Sequence, residues 1–194
     1  MNGGKTMIHK LSYTIAIFFR NKALIDEKEL DTCCYGFEII LSTLLGFALI
    51  ILSGALLGDF NFGILYLLYI VPIRMCVGGY HAKTYFKCNT VFLLFFGLAF
   101  FWYRIFSIGA YQILGWVNLI CVFVILVLAP LENENKVMSE SKRKKYKVID
   151  ILIYIIGGIL GIYFPEVFLV QVLSIVLSIV VLLLFLGKGV EKID

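Results

Sequence analysis

Apolar residues run along this chain in six long blocks with brief polar punctuation, preceded by a shorter segment of a different rhythm. Between residues 6 and 24, Ile8, Leu11, Ile15, Phe18 and Phe19 recur at helical spacing, with Lys10, Arg20 and Lys22 among them. That pattern predicts an amphipathic helix that lies in a membrane interface rather than crossing it. The polar stretch Asp26 to Asp31 then leads to a continuous apolar run over about 36–57, followed by runs over about 62–77, 90–108, 111–129, 148–164 and 167–186. These approach the roughly 20 residues that carry a helix across a hydrocarbon core of about 30 Å. The tight connection near Gly109 and the breaker Pro165 predict antiparallel hairpins. No internal repeat or low-complexity linker divides the chain. The expectation is one all-α polytopic membrane domain over residues 1–194, with six transmembrane helices and an N-terminal interfacial helix.

Composition agrees with lipid as the solvent. Hydrophobic residues make up 61% of the 194 positions and charged residues only 15%, where a soluble domain carries about a quarter. The start of the chain scatters Lys5, His9, Lys10, Arg20 and Lys22 and offers no small-residue cleavage site, so no signal peptide is expected. Five cysteines (Cys33, Cys34, Cys76, Cys88 and Cys121) form no even framework and suit a reducing, cytoplasm-facing setting.

The net charge of +4 matters less than its placement. Every Lys and Arg except Arg104 falls in the N-terminal region, in Arg74 to Asn89, in Leu131 to Lys147, or in the tail. The alternate turns near Gly58, Gly109 and Pro165 carry none. Positive residues stay inside, so these basic segments and both termini are expected in the cytoplasm of a bacterial cell membrane. Arg104, with Trp102 and Tyr103, reads as an anchor at the outer interface.

One polar segment gathers reactive groups: Arg74-Met75-Cys76-Val77-Gly78-Gly79-Tyr80-His81-Ala82-Lys83-Thr84-Tyr85-Phe86-Lys87-Cys88. A thiol becomes a nucleophile when a neighbouring imidazole or cation stabilises its thiolate. On one straight helix His81 and Cys88 would share a face but stand about 10 Å apart along the axis. A dyad therefore requires the segment to bend. The plainer reading is a polar loop whose cysteines pack as small apolar residues. A metal site is a third reading, but the C-x4-H-x6-C spacing lacks the close pairs of structural zinc and shows no fourth ligand. No metal or other cofactor is expected, and nothing points to nucleic acid.

Other positions carry open alternatives. Glu38 lies near the cytoplasmic end of the first span, where a carboxylate is costly unless paired. His9 reads as a solvated residue on the polar face of the first helix, and Cys33 and Cys34 as ordinary interfacial thiols. Gly157, Gly158 and Gly161 suit close helix packing, either within the chain or between two copies in a homodimer. Lys142, Arg143, Lys144, Lys145 and Lys147 form a basic run in the loop before the fifth span, which enforces topology, touches anionic lipid or docks an acidic peptide.

The run Arg74…Gly78-Gly79-Tyr80-His81-Ala82…Cys88 resembles the hallmark of the accessory gene regulator B (AgrB) family, bacterial membrane endopeptidases that mature a quorum-sensing peptide precursor. The family's His and Cys stand seven residues apart, as His81 and Cys88 do. Chain size, the amphipathic start, the order of spans and the run Ala129-Pro130-Leu131-Glu132-Asn133-Glu134-Asn135-Lys136 are similar too, so the resemblance covers nearly the whole chain. It implies that Cys88 is the nucleophile and His81 its general base, with Arg74 and Gly79 in structural or substrate-orienting roles. The family tends to have Glu or Gln at the position of Glu38, which implies an active-site role, either orienting His81 or pairing with Arg74. Family precursors are short, membrane-associated peptides with an acidic C-terminal region, which favours docking at the basic run. The implied reaction is cleavage of that tail through a Cys acyl-enzyme, then cyclisation to a thiolactone or lactone.

The rival is a small transporter or export component without covalent chemistry, built on the Gly-Gly break. Few ionisable residues in the spans speak against it: Glu38, Arg104 and Asp150.

Overall fold

The computed structural model describes residues 7–78, 84–130 and 139–191. Among these there are seven α-helices and no strand: α1 (Met7–Asn21), α2 (Leu30–Leu56), α3 (Phe60–Val77), α4 (Tyr85–Ile105), α5 (Ile108–Leu128), α6 (Glu140–Tyr163) and α7 (Phe168–Glu191). Six helices, α2 to α7, are long and apolar enough to cross a membrane. Packing divides the chain into two compact units, Met1–Leu49 and Ile50–Asp194.

In the first unit α1 is 15 residues long, about 22 Å at 1.5 Å per residue, too short to span. Met7, Leu11 and Phe18 form one exposed apolar stripe along it, as expected for a helix that dips one face into lipid. Ser12 and Ala16, one turn apart on another face, are fully buried. Small side chains there admit close backbone approach, and Ala16 packs with Leu30 and Cys34 of α2. Phe19 and Phe37 add a ring contact at 5.4 Å.

Helix ends depart from the hydropathy-based boundaries in a consistent way. α2 begins at Leu30 rather than near residue 36, after a single 3-10 turn, Glu27–Glu29. α4 begins at Tyr85 rather than residue 90, because Thr84 caps it, its hydroxyl accepting from the Lys87 N–H. α6 begins at Glu140, not at residue 148, so the basic run is helical and not a loop. Hydropathy marks where a chain enters hydrocarbon, whereas caps and backbone hydrogen bonds decide where the helix starts. α6 at 24 residues is about 36 Å long, several ångströms more than the hydrocarbon core requires.

In the second unit α7 is the central helix. It packs against α3, α4, α5 and α6, and 61% of its most apolar stretch is buried within the molecule, against at most 33% for any other span. Val172, Ile175, Val176, Leu177, Ile179, Val180, Leu183 and Leu184 supply its share of the core.

Contacts fix the directions of the helices. Phe62 and Tyr66 at the start of α3 meet Phe100, Tyr103 and Phe96 towards the end of α4. Gly115 early in α5 meets Gly158, Gly161 and Ile162 late in α6. Tyr103 near the end of α4 meets Phe168 at the start of α7. The helices therefore alternate, and the C-terminal ends of α3, α5 and α7 lie with the N-terminal ends of α4 and α6.

The glycines singled out above meet neighbours within the chain. A Cβ on Gly115 would stand 2.8–2.9 Å from backbone atoms of Ile162, Gly158 and Gly161, so α5 and α6 touch backbone to backbone. Gly157 instead makes room for Leu177 of α7. Buried polar groups bind the same helices, as they do in lipid-embedded bundles. The Asn118 amide donates to the Ser174 carbonyl at 3.1 Å, and the Ser178 hydroxyl donates to the Asn118 side-chain oxygen at 3.0 Å.

Candidate functional site

α3 ends at Val77, and Gly78 follows with φ of 79°, a left-handed conformation that favours glycine. Its N–H still donates to the Arg74 carbonyl at 3.0 Å, closing the last turn. The next described residue, Thr84, is extended and starts α4. The helix that carries Cys88 therefore begins only at Tyr85. His81 and Gly79 themselves lie outside the described residues, as does the run from Leu131 to Lys136.

Cys88 stands in the first turn of α4, half-buried as a free thiol, its N–H donating to the Thr84 carbonyl at 3.0 Å. The first turn of a helix leaves N–H groups unpaired and carries the positive end of the macrodipole, an environment that favours an anion. Arg74 sits in the last turn of α3, at the same end of the second unit as Cys88. Lys142, Arg143, Lys144 and Lys145 are exposed and Lys147 half-buried on the first turns of α6, also at that end. At 100° per residue these five point to all sides of the helix, with Arg143 and Lys147 on one stripe and Lys142 and Lys145 on another. Cys76 is half-buried on α3 and Cys121 half-buried on α5.

A family model for accessory gene regulator B matches residues 12–186. The chain belongs to the AgrB family. It is similar to a curated AgrB-like protein of Clostridium beijerinckii, 27% identical over 155 residues, covering 77% of this chain and 76% of the relative. No solved structure matches it. AgrB membership supports an accessory role in quorum sensing at a multi-pass membrane protein.

The first unit of this AgrB protein holds a second cluster that sequence reading missed. Glu38 Oε1 lies 2.5 Å from His9 Nδ1 and 4.0 Å from the Cys34 thiol, which donates to it. His9 is therefore bonded to Glu38 rather than simply solvated on the polar face, and Cys34 is buried. The pair spans 29 positions, and no periodicity connects residues so far apart. The one signal available was the four-residue spacing of Cys34 and Glu38, which puts both on one face of a helix.

Proposed function

We propose that this AgrB protein is a membrane cysteine endopeptidase that removes the C-terminal tail of a short quorum-sensing propeptide and promotes its cyclisation. The observation that carries the reading is Cys88 in the first turn of α4, seven residues after His81, in a chain of this family. Its setting adds support, since the basic start of α6 and Arg74 lie at the same end of the bundle.

His81 takes the thiol proton, and the Cys88 sulfur attacks the carbonyl at the junction between signal sequence and tail. His81 then protonates the departing amine as the C–N bond breaks, releasing the tail and leaving a thioester on Cys88. A thiol or hydroxyl within the peptide attacks that thioester, closing a thiolactone or lactone and returning the proton to Cys88. Exchange of one thioester for another is close to thermoneutral, so the ring forms without hydrolysis. Arg74 and Gly79 shape the segment that presents these groups. Lys142, Arg143, Lys144, Lys145 and Lys147 bind the acidic tail before cleavage. The reaction faces the cytoplasm, where the basic segments are held.

The test is a purified chain given a precursor with an acidic tail and an internal Cys. Mass spectrometry should find the free tail and a transient thioester on a peptide containing Cys88. Tail release with no adduct at Cys88, or release by a Cys88→Ala variant, would refute the mechanism.

A further inference from the structure

We propose that His9, Cys34 and Glu38 form a binding site for a borderline-soft divalent metal ion of the zinc type. The proposal is independent of the peptidase reading. Cys34 and Glu38 stand one turn apart on α2, and α1 brings His9 against them. The three donor atoms lie within 4.8 Å of one another. Tetrahedral zinc bonds of about 2.0–2.3 Å separate neighbouring donors by about 3.3–3.6 Å. The closest pair, at 2.5 Å, must open and the widest must close, each by about an ångström, a movement within reach of side-chain rotation.

The donor set discriminates among ions. One imidazole nitrogen, one thiolate sulfur and one carboxylate oxygen suit zinc, whereas magnesium and calcium take oxygen ligands. Charge balance points the same way: a thiolate and a carboxylate neutralise a dication, so the loaded site carries no net charge where the chain meets lipid. The thiol proton leaves to solvent on binding.

The site is also open to solvent. A cavity of about 430 Å³ opens beside the three groups and is lined further by Tyr13, Asp31 and Tyr35. A water there completes the coordination, with Asp31 facing the same space. Tyr13 lies beside the His9 ring, the centroids 6.3 Å apart and the planes inclined by 20°. Bound metal would clamp α1 onto the start of α2.

The full chain, purified in detergent and stripped with a chelator, should be titrated with cobalt(II) alone. Binding of one equivalent should give a thiolate-to-cobalt charge-transfer band and the visible spectrum of four-coordinate cobalt, both abolished by added zinc. Cys34→Ser should lose the charge-transfer band. His9→Ala and Glu38→Gln should weaken binding by at least the roughly tenfold that loss of even an outer-shell partner costs. Cys33→Ser should keep the band. No band in the unmodified chain would overturn the proposal and leave a plain His9–Glu38 hydrogen bond. A band that survives Cys34→Ser would equally overturn it. Should that variant fail to fold, zinc-edge X-ray absorption of the unmodified chain decides: one sulfur among nitrogen and oxygen neighbours is expected, and two sulfurs or none refutes the site.

Discussion

The proposed chemistry rests on the Cys88 side chain and on what holds it. Replacing Cys88 by Ala or Ser should abolish precursor cleavage while the protein still inserts in the membrane. His81→Ala should lower the rate by about 10²- to 10⁴-fold, the usual contribution of a positioned base, since an unassisted thiol is mostly protonated near neutral pH. Cys76→Ser should retain most activity, and a dead Cys76→Ser beside an active Cys88→Ser would assign the nucleophile to the other cysteine. Thr84 caps the turn that carries Cys88. Thr84→Ala should cost that turn about 1 kcal/mol and show as a lower kcat with unchanged expression. The motif was legible because the reactive residues are close in sequence and of rare type. The His9–Glu38 contact was not, because the turn between α1 and α2 creates it and neither residue announces the other.

Between elements, the α5–α6 contact makes the sharpest demand on sequence. Gly115→Ala gains about 1 kcal/mol of helix propensity, but overpacking typically costs about 1–3 kcal/mol. The crowded neighbours are backbone atoms, which cannot rotate away, so the net effect should be a lower thermal midpoint in detergent. Gly97→Ala, with nothing within 4 Å, should leave the midpoint unchanged or raise it. The basic start of α6 tests differently. Neutralising Lys142, Arg143 and Lys144 together should raise KM for the precursor more than it lowers kcat. Added salt should mimic the change, since exposed charges are screened over about 8 Å at physiological ionic strength. Unchanged KM in a correctly oriented variant would reduce these residues to a topology signal. Apolar runs of 16 to 22 residues revealed the existence of each of the six candidate spanning helices among the described residues. They could not reveal that α6 continues eight residues outward, because a solvated helical turn and a solvated loop share the same polar composition.

For the whole molecule, the charge pattern predicts sidedness. An impermeant thiol reagent should label Cys88 in inverted vesicles and spare it in intact cells; labelling from outside would reverse the orientation. Six apolar runs and a short amphipathic start defined the architecture from sequence, and α7 is the most apolar of the six, with a mean hydropathy of 3.0, but hydropathy does not say which helices pack around it. Its centrality is a matter of which helices surround it. That placement has a temporal side. Chains are made from the N-terminus and their early portions settle first, but here the helix at the heart of the second unit emerges after the other helices of that unit. Until it arrives, α3, α4, α5 and α6 must keep the surfaces meant for it, and the Asn118 amide meant for Ser174, in contact with lipid or with an insertion chaperone. A chain halted after Tyr163 should therefore be inserted but unfinished, and cleared by membrane proteases faster than the complete chain.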